Sequence, residues 1–236
     1  MGKRIISQRR GRGTSRYRAK SHRYLGKAAH PSLSHDELTG TVIDIAHCPG
    51  HTAPLALVEF SNGETTYMIA PENIRVNDTI KSSTSEVGQG YVLPLKHIPS
   101  GTSIYNIEKN PGDGGKFVRS SGTFAKVIGA TADKVIVLLP SKKKKEFNPE
   151  CRASIGTVAG SGRTEKPLVK AGNKYKKMYA KGKLYPKVSG ISMNAVDHPY
   201  GTSRSSKKGR PTIAKKHAPP GAKVGKIRPR RTGKKR

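Results

Sequence analysis

Ten Lys or Arg residues lie between Met1 and His35 with no Asp or Glu among them, and fourteen more lie between His198 and Arg236, again with no acid. Such segments repel themselves and carry few apolar groups to bury, so neither end can fold alone. More than half of the 46 cations, and with them most of the formal net charge of +31, therefore sit outside any core, while all 15 acids sit in the middle. Each cation that meets a phosphate releases condensed counterions, so ends of this kind point to a nucleic acid as the partner. Neither end shows a helical apolar stripe that would lay it on a membrane. No window comes near the roughly 18 apolar residues a bilayer crossing needs.

Between the ends the reading changes. Hydrophobic residues make up 33% of the chain, enough for one or two small cores, and 26 Gly with 16 Pro favour turns and short strands over long helices. Thr41–Ile45 and Leu55–Phe60 flank a turn holding Pro49 and Gly50. Ser61-Asn62-Gly63 then signals a hairpin into Thr65–Ala70. Asn77-Asp78-Thr79 turns the chain into a further short strand, and the polar run Ser82–Ser85 marks a boundary. Beyond it, short β segments are expected at Tyr91–Leu95, Ser103–Glu108, Phe117–Arg119, Phe124–Ala130, Lys134–Leu139 and Ser154–Ala159. They are divided by Pro111–Gly115 and by the lysine run Lys142–Lys145. Two small β barrels result. One helix is expected, at about Leu168–Lys181, with Leu168, Gly172, Tyr175 and Tyr179 on one face and lysines on the other. The N-terminal arm, to about His35, reads as extended, with Tyr17 and Tyr24 offering stacking faces.

Several patterns suggest chemistry and fall short of it. Asp197-His198 places a carboxylate beside an imidazole, yet neighbours in an extended segment point opposite ways, and no partnered nucleophile stands at a recognisable spacing. His47-Cys48-x-x-His51 supplies three ligand types but no fourth, with Cys151 a domain away. Pro111-Gly112-Asp113-Gly114-Gly115-Lys116 lacks the Gly-Lys-Ser/Thr of a phosphate loop. No catalytic residue, metal site or cofactor is therefore expected. Two cysteines suit a reducing cytosol, and the start Met1–Ile6 has no apolar run, so no secretory leader is expected.

Specific motifs run through the same residues. Gly190-Ile191-Ser192-Met193-Asn194-Ala195-Val196-Asp197-His198-Pro199-Tyr200-Gly201 resembles the signature of the second protein of the large ribosomal subunit, a universal ribosomal family. Leu93-Pro94-Leu95, Ile98-Pro99-x-Gly101-Thr102 and Asn106-Ile107-Glu108-x-x-Pro111-Gly112-Asp113 resemble the start of that family's second domain. Arg119-Ser120-Ser121-Gly122-Thr123-Phe124-Ala125, Cys151-Arg152-Ala153, Lys170-Ala171-Gly172 and Ala218-Pro219-Pro220-Gly221-x-Lys223-Val224-Gly225 follow in the family's order, in its archaeal or eukaryotic form.

The resemblance implies a mainly β protein, an OB-fold barrel followed by an SH3-like barrel, with long basic irregular extensions threaded into large-subunit rRNA. The expected divisions are 1–36, 37–84, 85–195 and 196–236. It further implies a monomer within the cytoplasmic ribosome, near the peptidyl transferase centre, with neighbouring ribosomal proteins and the small subunit, at an intersubunit bridge, as partners. RNA contacts are expected at Arg4, Arg9, Arg10, Arg12, Arg16, Arg18, Lys20 and Arg23 in the N-terminal arm, and at Arg119, Lys170, Lys174 and Lys177. Further contacts are expected at Gly190, Asn194, Asp197 and His198, and at Arg204, Lys207, Lys208, Arg210, Lys215, Arg228, Arg230 and Arg231 in the C-terminal tail. In the first barrel the family usually has an Asp-Pro-Gly-Arg turn. Here it is Cys48-Pro49-Gly50-His51. After His198-Pro199, Tyr200-Gly201-Thr202-Ser203 replaces the usual aromatic or His and glycine run. An architectural DNA-binding protein is the rival reading, disfavoured by two internal β domains and the scarcity of helix.

Overall fold

The computed structural model of the chain describes residues 2–33, 36–131, 133–201 and 211–227. These residues form two bodies: Ser21–Pro167, and a second in which the stretch up to Lys20 joins the stretch from Leu168 onward.

The first body holds one ten-stranded sheet. β1 (Leu38–Ala46) alternates buried and exposed residues along its first half and pairs antiparallel with β2 (Leu55–Phe60), Val42 opposite Val58. Four residues, Ser61–Glu64, join β2 to β3 (Thr65–Ile69): the Phe60 amide donates to Glu64 O at 2.9 Å while Gly63 takes φ +78°, the left-handed residue that closes such a loop. β4 (Thr79–Ser82) pairs with the other edge of β1. Its last residue meets β5 (Val92–Pro94) in a parallel contact, Ser82 beside Val92. The order then runs β5, β10 (Arg152–Ile155), β6 (Ser103–Tyr105), β7 (Ala125–Ala130), β8 (Val135–Leu138) and β9 (Lys144–Phe147). The architecture is mainly β and fits an OB-fold barrel built on β1–β4 followed by an SH3-like barrel built on β5–β10.

Three apolar clusters account for this arrangement. Leu38, Val42, Val58, Phe60 and Ile80 fill the first barrel, and Leu93, Ile104, Val127, Val137 and Phe147 fill the second. The third cluster joins the barrels: Cys48, Leu55 and Ile69 meet Tyr105 and Val158, with Ala28 of the N-terminal arm among them. Tyr105 spans the joint, its hydroxyl donating to Ile69 O at 3.2 Å. Burying a side chain of that size contributes about 2–3 kcal/mol, so the joint is held by packing and not by a tether. Gly40 is required in β1, because a Cβ there would lie 2.7 Å from Phe60 and Val58.

Four local expectations change. Half of the lysine run is strand: the chain turns at Pro140–Lys142, Lys142 taking φ +62°, and β9 begins at Lys144. Phe117–Arg119 forms only an isolated bridge from Phe117 to Ile107, because Val118 adopts φ +55° and breaks the extended run. The strand expected at Ser154–Ala159 is shifted to Arg152–Ile155, stopped by Gly156 at φ +114°. The N-terminal arm is not extended throughout. α1 (Ile6–Gly11) and single 3-10 turns at Ser15–Tyr17 and Ser21–Arg23 interrupt it, and buried Ile5 gives α1 an apolar foothold. The expected helix is present as α2 (Ala171–Ala180).

Candidate nucleic-acid interface

In the first body the arm is fastened by buried charge. Glu108 and Arg152, both almost fully buried, form an ion pair: Arg152 Nη2 donates to Glu108 Oε1 at 2.9 Å and Nε at 3.2 Å. Glu108 also accepts from the amides of Gly112, Gly114 and Arg152 at 3.2, 3.1 and 2.8 Å. The free nitrogen of Arg152 reaches the arm, donating to Pro31 O at 2.9 Å. Arg119 works alongside, with Nη1 on Gly115 O and Nη2 on Ala28 O, both at 2.6 Å. His30 is buried with Nε2 2.7 Å from Asn106 O. Burial pushes its pKa down to about 4, the Arg152 charge acting the same way, so the ring is neutral at pH 7. Burial alone would raise the Glu108 carboxyl, but the Arg152 bonds and charge outweigh it and hold it low. Arg119, expected at RNA, thus spends two of its donors on the fold. The motifs around Glu108, Arg119 and Arg152 are widely separated in sequence and converge on one structural knot.

The second body gathers cations. Its described residues contain nineteen Lys and Arg and a single acid, Asp197. All five ion pairs among the described residues lie in the first body. α2 buries no residue and has no acid in its first turn. Tyr175 and Tyr179, one turn apart, stack with centroids 6.2 Å apart. The Arg16 guanidinium lies 5.9 and 5.3 Å from their centroids, Lys20 Nζ lies 5.3 Å from Tyr179, and Lys174 Nζ lies 5.2 Å from Tyr185. Lys170 and Lys174 are exposed and Lys177 half-buried, so all three remain open to solvent.

The Gly190–Gly201 segment folds as a compact loop. Asp197 and His198 amides both donate to Asn194 O, at 3.0 and 3.2 Å, and the Gly201 amide donates to His198 O at 2.9 Å. Gly190 packs against the imidazole: a Cβ there would come 2.6 Å from His198 Nε2. Gly201 packs on the carbonyls of Met193 and Asn194, again leaving no room for a side chain. His198 Nδ1 accepts the Tyr200 amide at 3.1 Å, which leaves the proton on Nε2. Burial lowers its pKa, favouring that neutral form. The ring is thus engaged by Tyr200 and not by Asp197.

Tyr200, named in the motif but not among the expected contact residues, is central to this loop. It is buried, and its hydroxyl lies 3.1 Å from Pro211 O and 3.3 Å from Val224 O, within reach as donor to either. The tail from Pro211 to Ile227 folds around it, with Ala214 and Lys226 amides bonded to Lys226 O and Thr212 O. The signal was present as an aromatic following His198-Pro199.

The expected contacts divide accordingly. Arg4, Arg9, Asn194 and Asp197 line one cavity of about 370 Å³. The Lys3 amide donates to Val196 O at 2.8 Å, tying the arm to the loop. Arg10, Arg12, Arg18 and Lys215 are exposed, and Arg23 is exposed in the first body. Arg204, Lys207, Lys208, Arg210, Arg228, Arg230 and Arg231 lie outside the described residues. At the Cys48 turn, His51 Nδ1 lies 3.3 Å from buried Cys48 Sγ. No three His, Cys, Asp or Glu side chains gather as metal ligands among the described residues.

Residues 3–82 match the RNA binding N-terminal domain of the ribosomal proteins L2, and residues 88–220 match their C-terminal domain. The chain is 54% identical to the large ribosomal subunit protein uL2 of Methanosphaera stadtmanae and to that of Methanothermobacter thermautotrophicus, aligned over the whole of both chains in each case. To uL2 of Archaeoglobus fulgidus it is 50% identical, again over the whole of both chains. With a mainly β architecture, cation-rich ends and these matches across almost its whole length, the chain belongs to the ribosomal protein L2 family, and these relatives are archaeal.

Proposed function

We propose that the chain is a structural constituent of the large ribosomal subunit in the cytoplasm, binding large-subunit rRNA near the peptidyl transferase centre and supporting subunit association. The observation that carries this reading is the second body, with nineteen cations against one acid among its described residues. A protein surface of that balance is electrostatically complete only against a polyanion. The barrels, on 37–84 and on the strands of 85–195, anchor; α2 and the ends, 1–36 and 196–236, follow RNA crevices, where Lys and Arg neutralise converging phosphates and backbone amides approach closely. The loop at Gly190–His198 sets the exit of the tail, with the Nε2–H of His198 available as a neutral donor. Catalysis then belongs to the RNA, and this chain positions it. Crosslinking of assembled particles tests the reading: Arg4, Arg9 and His198 should crosslink to large-subunit rRNA, and neighbouring ribosomal proteins and the small subunit should appear among the protein crosslinks. Recovery of the native chain on DNA alone would overturn it.

A further inference from the structure

We propose that Tyr175 and Tyr179 of α2 form a stacking platform for one unpaired nucleotide of the RNA, with the exposed lysines of the same stretch available to its phosphate. This rests on the RNA-binding reading above and names the form of RNA that one part of the surface takes. α2 buries none of its residues, so two tyrosines at i and i+4 serve no core; they are 44% and 41% exposed. Yet they are ordered against each other, their planes 18° apart, with the Arg16 guanidinium lying over both rings. Arg16 is half-buried, with its Nη1 covered by the protein, so its role is to hold the rings and not to meet the RNA. The stretch Leu168–Lys183 adds six lysines and no acid, so cations for the phosphates stand on the same short stretch as the rings.

That combination selects an unpaired nucleotide over a duplex. A base inside a helix is already stacked and hides both faces, whereas a bulged or single-stranded base gains by lying on an aromatic ring. Tyr tolerates any base, so the platform reads the unpaired state and not the sequence.

The test uses the full-length chain and two probes: a single-stranded RNA 12-mer carrying one 2-aminopurine, and the same strand annealed to its complement. Stacking on tyrosine quenches 2-aminopurine, which charge alone does not do. The unaltered chain should bind both probes and quench only the single strand. Tyr175→Leu with Tyr179→Leu should abolish the quenching and weaken single-strand binding about tenfold or more, leaving duplex binding unchanged. Tyr175→Phe with Tyr179→Phe keeps the rings and should keep the quenching. Unchanged quenching in the leucine variant, or loss of it in the phenylalanine variant, overturns the platform alone. Failure of the unaltered chain to bind either probe overturns the RNA-binding reading itself and the platform with it.

Discussion

Arg152 holds Glu108 through two nitrogens on a single carboxylate oxygen, at 2.9 and 3.2 Å, in a site where neither side chain is more than 4% exposed. The pair is not a simple exchange of charge. Glu108 also collects three backbone amides, and Arg152 passes its remaining nitrogen to the carbonyl of Pro31, so the pair fastens the arm to the second barrel. Removing one partner leaves the other charged and dry. Glu108→Gln should therefore cost about 3–5 kcal/mol, a large share of a typical domain's stability. Urea denaturation followed by circular dichroism measures it. A loss under about 1 kcal/mol would mean that the pair behaves as an exposed one.

His30 sits against this pair and gives the fold a pH dependence. In the unfolded chain a histidine titrates near 6.5, whereas in the folded chain its pKa is about 4. Between those values the unfolded state binds a proton that the folded state refuses, so stability rises with pH there and is lost as pH falls from 6.5 towards 4. The full window is worth about 3 kcal/mol. Glu108, whose carboxyl is held low, adds a further loss only at more acidic pH, as it protonates. His30→Gln keeps a donor towards Asn106 O and removes the titration. Its stability should change less between pH 6.5 and 4 than that of the unaltered chain, and equal slopes would contradict the assignment.

Two of the expected RNA-binding cations should separate cleanly. Lys177 stands on a helix without acids, whereas Arg119 donates to Gly115 O and Ala28 O inside the first body. Lys177→Gln should leave stability unchanged and lower the slope of log affinity for rRNA against log salt by about one. Arg119→Gln should leave that slope unchanged and destabilise the fold by about 2 kcal/mol. Filter binding across a salt series, with denaturation in parallel, distinguishes the two. The reverse pattern would return Arg119 to the RNA surface.

Strand positions were legible where a single physical rule decided them. Val42, Val58 and Phe60 lie on alternating runs, and Ser61-Asn62-Gly63 specifies its own turn. The misreadings fall where tertiary context decides. Lys144 and Lys145 have the composition of a loop, yet Lys145 lies over the faces of Phe117 and Phe147, at 4.0 and 5.4 Å, and that keeps β9 in the sheet. Val118 at φ +55° breaks a run its residue type favours. In the candidate interface, charge was readable from composition, but the division of labour was not. Arg119 and Arg16 are the same residue type; only the Ala28 carbonyl beside one and the tyrosine rings beside the other give them different work.

The turn at Cys48 and His51 offers a final test, because the family usually has Asp and Arg there. Cys48 is fully buried among Ala53, Leu55 and Tyr105, 3.3 Å from His51 Nδ1, so a short, weakly polar side chain meets a neutral partner. Burial lowers the His51 pKa, and the charge of Arg119 lowers it further, so beside Cys48 the imidazole is held towards its neutral form. Cys48→Asp alone buries a carboxylate with no cation bonded to it and should cost about 3 kcal/mol. Adding His51→Arg restores a cation at the same contact. If the two positions act as a coupled pair, the double variant should recover about 1–3 kcal/mol of that loss relative to the sum of the single changes. Denaturant midpoints for the four chains of the cycle supply the coupling energy. A value near zero would show that the Cys–His contact occupies the turn without sharing the pairing of Asp and Arg.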